Sequence, residues 1–169
     1  MPIFLLGYMG SGKTTLGKAL ATYLKTSFVD MDALIEKEIE MSVFDFFKIK
    51  GEAAFRNIEN IILRNHQFKS NEIVATGGGT PCFYNNHKFL NSLGCTIYLK
   101  VSVDEIVRRL ELNTKRPIIF DNKLTLKSFV SEQISEREKY YLYSNYIIES
   151  NNISVDLLLR QIKTLKCTR

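Results

Sequence analysis

The feature that most constrains this chain begins at its seventh residue. After the apolar run Ile3-Phe4-Leu5-Leu6 stands Gly7-Tyr8-Met9-Gly10-Ser11-Gly12-Lys13-Thr14, which fits the phosphate-loop pattern G-x-x-x-x-G-K-[ST]. In that pattern the glycines let backbone N–H groups turn inward around phosphate oxygens. The lysine reaches the terminal phosphates, and the hydroxyl holds Mg²⁺. A helix starting at the same point adds unpaired N–H groups and the positive end of its dipole. The apolar positions Leu16, Ala19, Leu20, Tyr23 and Leu24 recur at helical spacing, so strand, loop and helix follow in the order a nucleotide site requires. The residues expected at the nucleotide are Gly10, Ser11, Gly12, Lys13, Thr14 and Thr15.

The length of 169 residues, 45% of them hydrophobic, suits one domain spanning 1–169. Five β-rich runs, Ile3–Leu6, Ser27–Asp30, Glu72–Ala75, Thr96–Val101 and Tyr146–Glu149, alternate with helical patterns. This alternation predicts an α/β fold, a five-stranded parallel sheet flanked by helices. Ser42 with Asp45, and Ser102 with Glu105, have the [ST]-x-x-[DE] form that caps a helix start. The last helix places Val155, Leu158, Leu159, Ile162 and Leu165 on one face. Between the second and third strands lie about forty residues with three helical patterns, more than one crossover needs, so a lobe at about residues 32–61 is expected to hold a second substrate. The polar stretch Asn113–Lys123 with Arg116-Pro117, inside a segment of about residues 109–124, reads as a mobile lid that excludes water during transfer.

Charge is mildly basic, +5 from 23 Lys and Arg against 18 Asp and Glu. No block of five basic residues occurs, which argues against a nucleic acid partner and for an anionic substrate in a pocket. Cys82, Cys95 and Cys167 are odd in number and form no C-x-x-C pair, so a disulfide framework is not expected and reducing cytoplasm is the setting indicated. No apolar stretch is long enough to span a membrane. His66 and His87 have no partner at metal-ligand spacing and read as surface or helix-end residues.

In open α/β sheets, ligands gather at the carboxyl ends of the strands. The second strand ends in Asp30-Met31-Asp32 and the third runs into Thr76-Gly77-Gly78-Gly79. Two aspartates at i and i+2 beside a metal-bound nucleotide can divide labour, one holding metal through water, the other orienting an attacking hydroxyl. The plainer alternative is that Asp32 only caps a helix Ala33–Glu40. Three successive glycines offer accessible backbone N–H groups for close approach of a substrate.

Taken together, these residues resemble the shikimate kinase family over nearly the whole chain. The resemblance rests on the phosphate loop, Asp30-x-Asp32, Gly51-Glu52-x-x-Phe55-Arg56-x-x-Glu59, Gly77-Gly78-Gly79, Arg116-Pro117 and Arg137-x-x-x-Tyr141. It implies a nucleoside-monophosphate-kinase-like fold and transfer of the ATP γ-phosphoryl group to the 3-hydroxyl of shikimate, in the pathway to aromatic amino acids. By resemblance, Asp32 binds the accepting hydroxyl and draws its proton, while Asp30 and Thr14 hold Mg²⁺. Arg56 and Arg137 grip the substrate carboxylate, Gly78 and Gly79 lie against shikimate, and Lys13 and Arg116 meet the phosphates. Arg109 stacks on adenine, and Val43, Phe47 and Phe55 line the acceptor pocket. The family also implies a monomer acting on ATP and shikimate, without nucleic acid or membrane partners. Without the resemblance, Arg56 with Glu59 reads as a surface ion pair and Arg137 as an ordinary helix arginine.

Two departures lie near the C-terminus. Leu142-Tyr143-Ser144-Asn145-Tyr146 stands where relatives usually have small residues, and Ser150-Asn151-Asn152-Ile153 replaces a proline-containing turn against adenine. Competing readings are another phosphate-loop kinase acting on gluconate or a nucleoside monophosphate, and a nucleotide-dependent switch. A guanine-reading switch needs N-K-x-D, and Asn122-Lys123-Leu124-Thr125 has threonine in place of the aspartate.

Overall fold

The structure, a computed structural model, describes residues 1–112 and 126–164. The expected lid with Arg116, together with Leu165 and Cys167, lies outside the described residues. The elements run β1 (Ile3–Leu6), α1 (Lys13–Leu24), β2 (Phe28–Asp30), α2 (Met31–Ile39), α3 (Val43–Asn65), β3 (Ile73–Ala75), a 3-10 turn (Thr80–Cys82), α4 (Asn86–Leu93), β4 (Cys95–Lys100), α5 (Val103–Glu111), α6 (Leu126–Tyr141), β5 (Tyr146–Glu149) and α7 (Val155–Thr164). All five strands pair in parallel, in the order β2-β3-β1-β4-β5.

Strand β1 is central, with Ile3 in register with Ile73 on one side and Cys95 on the other. Its four side chains are at most 1% exposed and alternate between the two faces. Ile3 and Leu5 pack with Leu20 of α1 and Leu158, Leu159 and Ile162 of α7. Phe4 and Leu6 pack with Met31, Leu63, Leu90 and Tyr141, from the helices of the other face. Full burial of each such side chain contributes about 1.5–3 kcal/mol, so this short strand anchors both layers.

The helix after the phosphate loop is turned relative to the sequence pattern. Gly17, Leu20 and Ala21 are buried, whereas Tyr23 is 59% exposed. Gly17 causes this shift, because a Cβ there would stand 2.5 Å from the Phe28 ring, so its bare Cα lets α1 close on β2. A glycine carries no hydrophobic signal, and periodicity therefore missed it.

Ser42 and Ser102 cap α3 and α5, their side chains accepting the N–H groups of Asp45 and Glu105. Helix α3 breaks at Gly51 (φ 79°, ψ 170°), so residues 31–65 form three helical pieces, as the pattern indicated. Ile35 of α2 packs with Phe46 and Phe55 of α3 in a small apolar cluster of their own.

Both histidines sit at helix ends, His66 as the C-cap of α3 and His87 in the first turn of α4. His87 is not at the surface: it is buried, its Nδ1 3.2 Å from the Pro81 carbonyl and its ring against Tyr140 and Tyr143. Cys82 is free.

Gly94 admits β4 beside the chain's start. A Cβ there would lie 2.2 Å from the Pro2 carbonyl oxygen, the same oxygen that accepts the Cys95 N–H at 3.0 Å. Gly94→Ala must therefore displace backbone, and it is expected to cost about 1–3 kcal/mol. The check is a lower urea midpoint at unchanged m-value.

Candidate active site

A cavity of about 540 Å³ opens at the carboxyl ends of β1, β2 and β3. It is lined by residues 9–16, with Asp30, Asp32, Thr76, Gly78, Arg109, Leu110 and Ile153. Gly7, Gly10 and Gly12 adopt φ of 144°, 80° and 98°, which the loop needs in order to wrap around its own centre. Gly12 is also the N-cap of α1 and has no side chain to bond the first-turn N–H groups. Those N–H groups belong to Lys13, Thr14 and Thr15, which line the cavity, and this is the geometry of an anion site.

Lys13 is largely buried, and its Nζ donates to the carbonyls of Gly7 (2.8 Å) and Tyr8 (3.0 Å). The ammonium is thus held across the loop by β1's outgoing backbone. The Thr14 hydroxyl donates to Asp30 Oδ2 at 2.7 Å, while Asp30 Oδ1 accepts the Asp32 N–H at 3.1 Å. Asp30, not Asp32, is therefore the cap of α2. The plain capping alternative fails for Asp32, whose carboxylate stands in the cavity beside the glycine triplet.

The triplet is packed by the protein's own polar groups rather than left open. A Cβ on Gly77 would meet Asp32 Oδ1 at 2.7 Å and Glu59 Oε1 at 2.9 Å. One on Gly79 would stand 2.3 Å from Arg56 Nη2. Only Gly78 of the three is partly exposed, while its neighbours make room for Asp32 and Arg56.

Arg56 and Glu59 are not a surface pair. Glu59 is fully buried and Arg56 nearly so, with Nη1 donating to Glu59 Oε2 at 2.8 Å. Glu59 also accepts from the Thr80 hydroxyl, and Glu52 takes two further bonds from Arg56. The guanidinium faces the rings of Phe83 (4.8 Å), Phe55 (5.3 Å) and Phe47 (5.6 Å). Burial pushes the Glu59 carboxyl above its ordinary range against the pull of Arg56, and nearby Asp32 pushes the same way. Desolvation pulls the Arg56 guanidinium downward, but Glu59 and Glu52 more than offset it and hold the group firmly charged.

Arg137 on α6 donates to Gln133 and lies 5.6 Å from the Tyr8 ring. Burial raises the Cys82 thiol to about 11, against the pull of both Arg137 and Arg56, so the two guanidinium groups act on one point just past the triplet. Tyr141, one turn beyond Arg137, donates its hydroxyl to the Gly78 carbonyl. Val43 and Phe47 pack beside Phe55 in the small cluster of α2 and α3. Arg109 reaches back from α5 to the phosphate loop, its Nη1 bonding the Gly10 carbonyl at 3.0 Å. Arg56, Gly79 and Arg137 are not in the cavity lining; Gly79 follows Gly78 of the lining, Arg56 packs against Gly79, and Arg137 faces the ring of Tyr8, next to Met9 of the lining.

Residues 9–166 match the family model for shikimate kinase. The chain belongs to the shikimate kinase family. It is 39% identical to the shikimate kinase of Parabacteroides distasonis over 153 residues, 89% of this chain and 88% of that one. The 1.7 Å crystal structure of shikimate kinase from Bacteroides thetaiotaomicron matches with a TM-score of 0.88 at 36% identity, over 98% of each chain. Shikimate kinase from Acinetobacter baumannii, solved in complex with shikimate, matches with a TM-score of 0.86 at 30% identity, over 98% of this chain and 92% of that one. Family membership sets aside the gluconate, nucleoside monophosphate and switch readings, and the parallel α/β architecture is that of these kinases.

Sequence reasoning missed Tyr8, Phe83 and Gly77. Tyr8 is an unconstrained position of the loop motif, yet its ring is buried beneath Arg137. Nothing in the spacing marks it. Phe83, which meets the Arg56 guanidinium, likewise falls in a turn without periodicity. Gly77 was legible only as one of three.

Removing the Glu59 carboxylate strands a buried guanidinium. Glu59→Ala is therefore expected to lower stability by about 3 kcal/mol, the low end for a broken buried pair, because half-exposed Glu52 still bonds Arg56. Urea unfolding measures it, and Glu59→Gln, which can still accept one bond, should lose less.

Proposed function

We propose that this chain transfers the γ-phosphoryl group of ATP to the 3-hydroxyl of shikimate, giving shikimate 3-phosphate. The observation that carries this reading is one continuous polar site. The phosphate loop and Asp32 share a cavity, and Asp32 adjoins the glycine triplet on which Arg56 rests. Phosphoryl transfer asks little covalent chemistry of a protein, so positioned cations and an aligned hydroxyl supply most of the acceleration. Lys13 and the first-turn N–H groups of α1 receive the phosphates, and Arg116 is the further cation that the family resemblance brings to the transferring group. Asp32 orients the accepting hydroxyl and takes its proton.

Thr14 and Asp30 suit a hard divalent cation, since their oxygens lie 2.7 Å apart at the cavity wall. Mg²⁺ uses few protein ligands and completes its shell with water and phosphate oxygens. Accordingly, no group of three His, Cys, Asp or Glu side chains suited to a metal occurs among the described residues. Bound there with ATP, the ion would neutralise charge on the phosphates.

A carboxylate on the acceptor accounts for two arginines, because guanidinium forks match carboxylates in two-point geometry. Arg56 and Arg137 take that role, with Gly78 against the ring and Gly79 leaving room for Arg56. The α2–α3 segment serves as the acceptor lobe and residues 109–124 as the lid. The enzyme acts as a cytoplasmic monomer in aromatic amino-acid biosynthesis. No helix among the described residues is long and apolar enough to cross a membrane.

Release of ADP from MgATP, measured against shikimate, gluconate and nucleoside monophosphates, tests the substrate. Stimulation by shikimate alone is expected, and stimulation by gluconate alone would overturn the reading. Lys13→Met should leave the fold intact and lower turnover by at least about 10³-fold. Asp32→Asn should lower kcat far more than ATP affinity, which single-turnover kinetics and ATP titration separate. Arg56→Lys keeps a charge beside Glu59 but not the fork, so the KM for shikimate should rise roughly tenfold with ATP binding unchanged.

A further inference from the structure

The [ST]-x-x-[DE] capping pattern at Ser102 is only half used as a cap. The Ser102 hydroxyl accepts the Glu105 N–H at 3.3 Å. In the full reciprocal arrangement the Glu105 carboxylate would accept the Ser102 N–H in return. Here that N–H goes instead to Asn151 Oδ1 at 3.0 Å, from the turn between β5 and α7. The Glu105 carboxylate is thereby released to the arginines, with Oε1 taking the Arg109 Nε–H at 2.7 Å.

Arg109 is consequently fixed from three sides. Its Nε donates to Glu105 on its own helix, Nη1 to the Gly10 carbonyl of the phosphate loop, and Nη2 to the Asn151 carbonyl at 2.7 Å. Three acceptors on three separate segments define the plane of a guanidinium and leave its face free of that bonding. Arg109 lines the nucleotide cavity, as does Ile153, two residues beyond Asn151. Hydrogen bonds from Arg108 and Arg109 hold the Glu105 carboxyl down to about 2, so it stays ionised at any working pH.

We propose that Glu105 and Asn151 are positioning residues that hold Arg109 as a preformed platform for the nucleotide base, with Asn151 also fixing the turn that presents Ile153. This rests on reading the cavity as the ATP site. Asn151 thus performs by hydrogen bonding what a rigid turn would perform by covalent stiffness. The lost freedom of a long side chain is met before the ligand arrives, and nucleotide affinity gains accordingly.

The test uses the full chain and two ligands, ATP and tripolyphosphate, the second having phosphates but no base. Titration calorimetry should show Arg109→Ala weakening ATP roughly tenfold, Glu105→Ala about fivefold and Asn151→Ala about threefold, each leaving tripolyphosphate within about twofold. Retained tripolyphosphate binding also certifies an intact loop. Glu105→Gln keeps the shape should the alanine variant not fold and, since its amide oxygen can still accept one bond, must show the same contrast in smaller measure. In an Arg109→Ala background, neither Glu105→Ala nor Asn151→Ala should weaken ATP further by more than about twofold. Equal losses for both ligands, unchanged ATP affinity in the Glu105 and Asn151 variants, or additive losses without Arg109 would each overturn the inference. A harmless Arg109→Ala would refute the platform itself. Failure of shikimate-stimulated ADP release would instead strike the assignment of function, which these binding measurements do not use.

Discussion

The structure depends on one short strand being buried on all sides. Residues 3–6 pair with β3 and β4 and send alternate side chains into two layers, so the end of β1 cannot move without disturbing both. At that end the Leu5 carbonyl accepts both the N–H and the hydroxyl of Thr76, which stitches β1 to β3 where the glycine triplet begins. One residue after β1, the Gly7 and Tyr8 carbonyls take the Lys13 ammonium. The phosphate loop and the glycine-triplet side of the cavity are therefore fixed to a single rigid origin. Rigidity matters there because misplacing reacting groups by about an ångström can cost a hundredfold in rate.

The buried Arg56–Glu59 pair is a second constraint, and its energetics differ. Desolvating two charges costs several kcal/mol each, so such a pair is weak evidence for stability. What the surroundings supply is geometry: Thr80 and Glu52 add hydrogen bonds, and three phenylalanine rings meet the guanidinium. The glycine triplet belongs to the same device. Gly79 leaves the space the guanidinium fills, and Gly77 leaves the space between Asp32 and Glu59. A side chain at either position would displace a functional group before it met any substrate.

The architecture was legible in the sequence because its signals are local. The five β-rich runs and the two serine caps each follow from a few neighbouring residues, and the strands lie within a residue or so of where the pattern put them. The phosphate loop was legible for the same reason. What escaped were contacts between distant segments. The depth of Arg56, the burial of His87, the ring of Tyr8 under Arg137 and the Asn151 bond to Ser102 all join residues far apart in the chain. Periodicity is silent on these, as it is on glycines such as Gly17 whose importance lies in the volume they omit.

The two aspartates show how local rules and function meet. An N-cap side chain must turn back toward the second and third N–H groups of its helix, and Asp30 does so, bonding the Asp32 N–H with one oxygen. Its other oxygen is left beside Thr14, where a metal-bound nucleotide would need it. Asp32, already inside the helix, is not required by the cap, and its carboxylate is placed instead by the gap at Gly77. The separation of the roles proposed for the two residues would thus follow from helix geometry. A carboxylate that caps can hold metal but is committed in direction, whereas the one beyond it can face an acceptor hydroxyl.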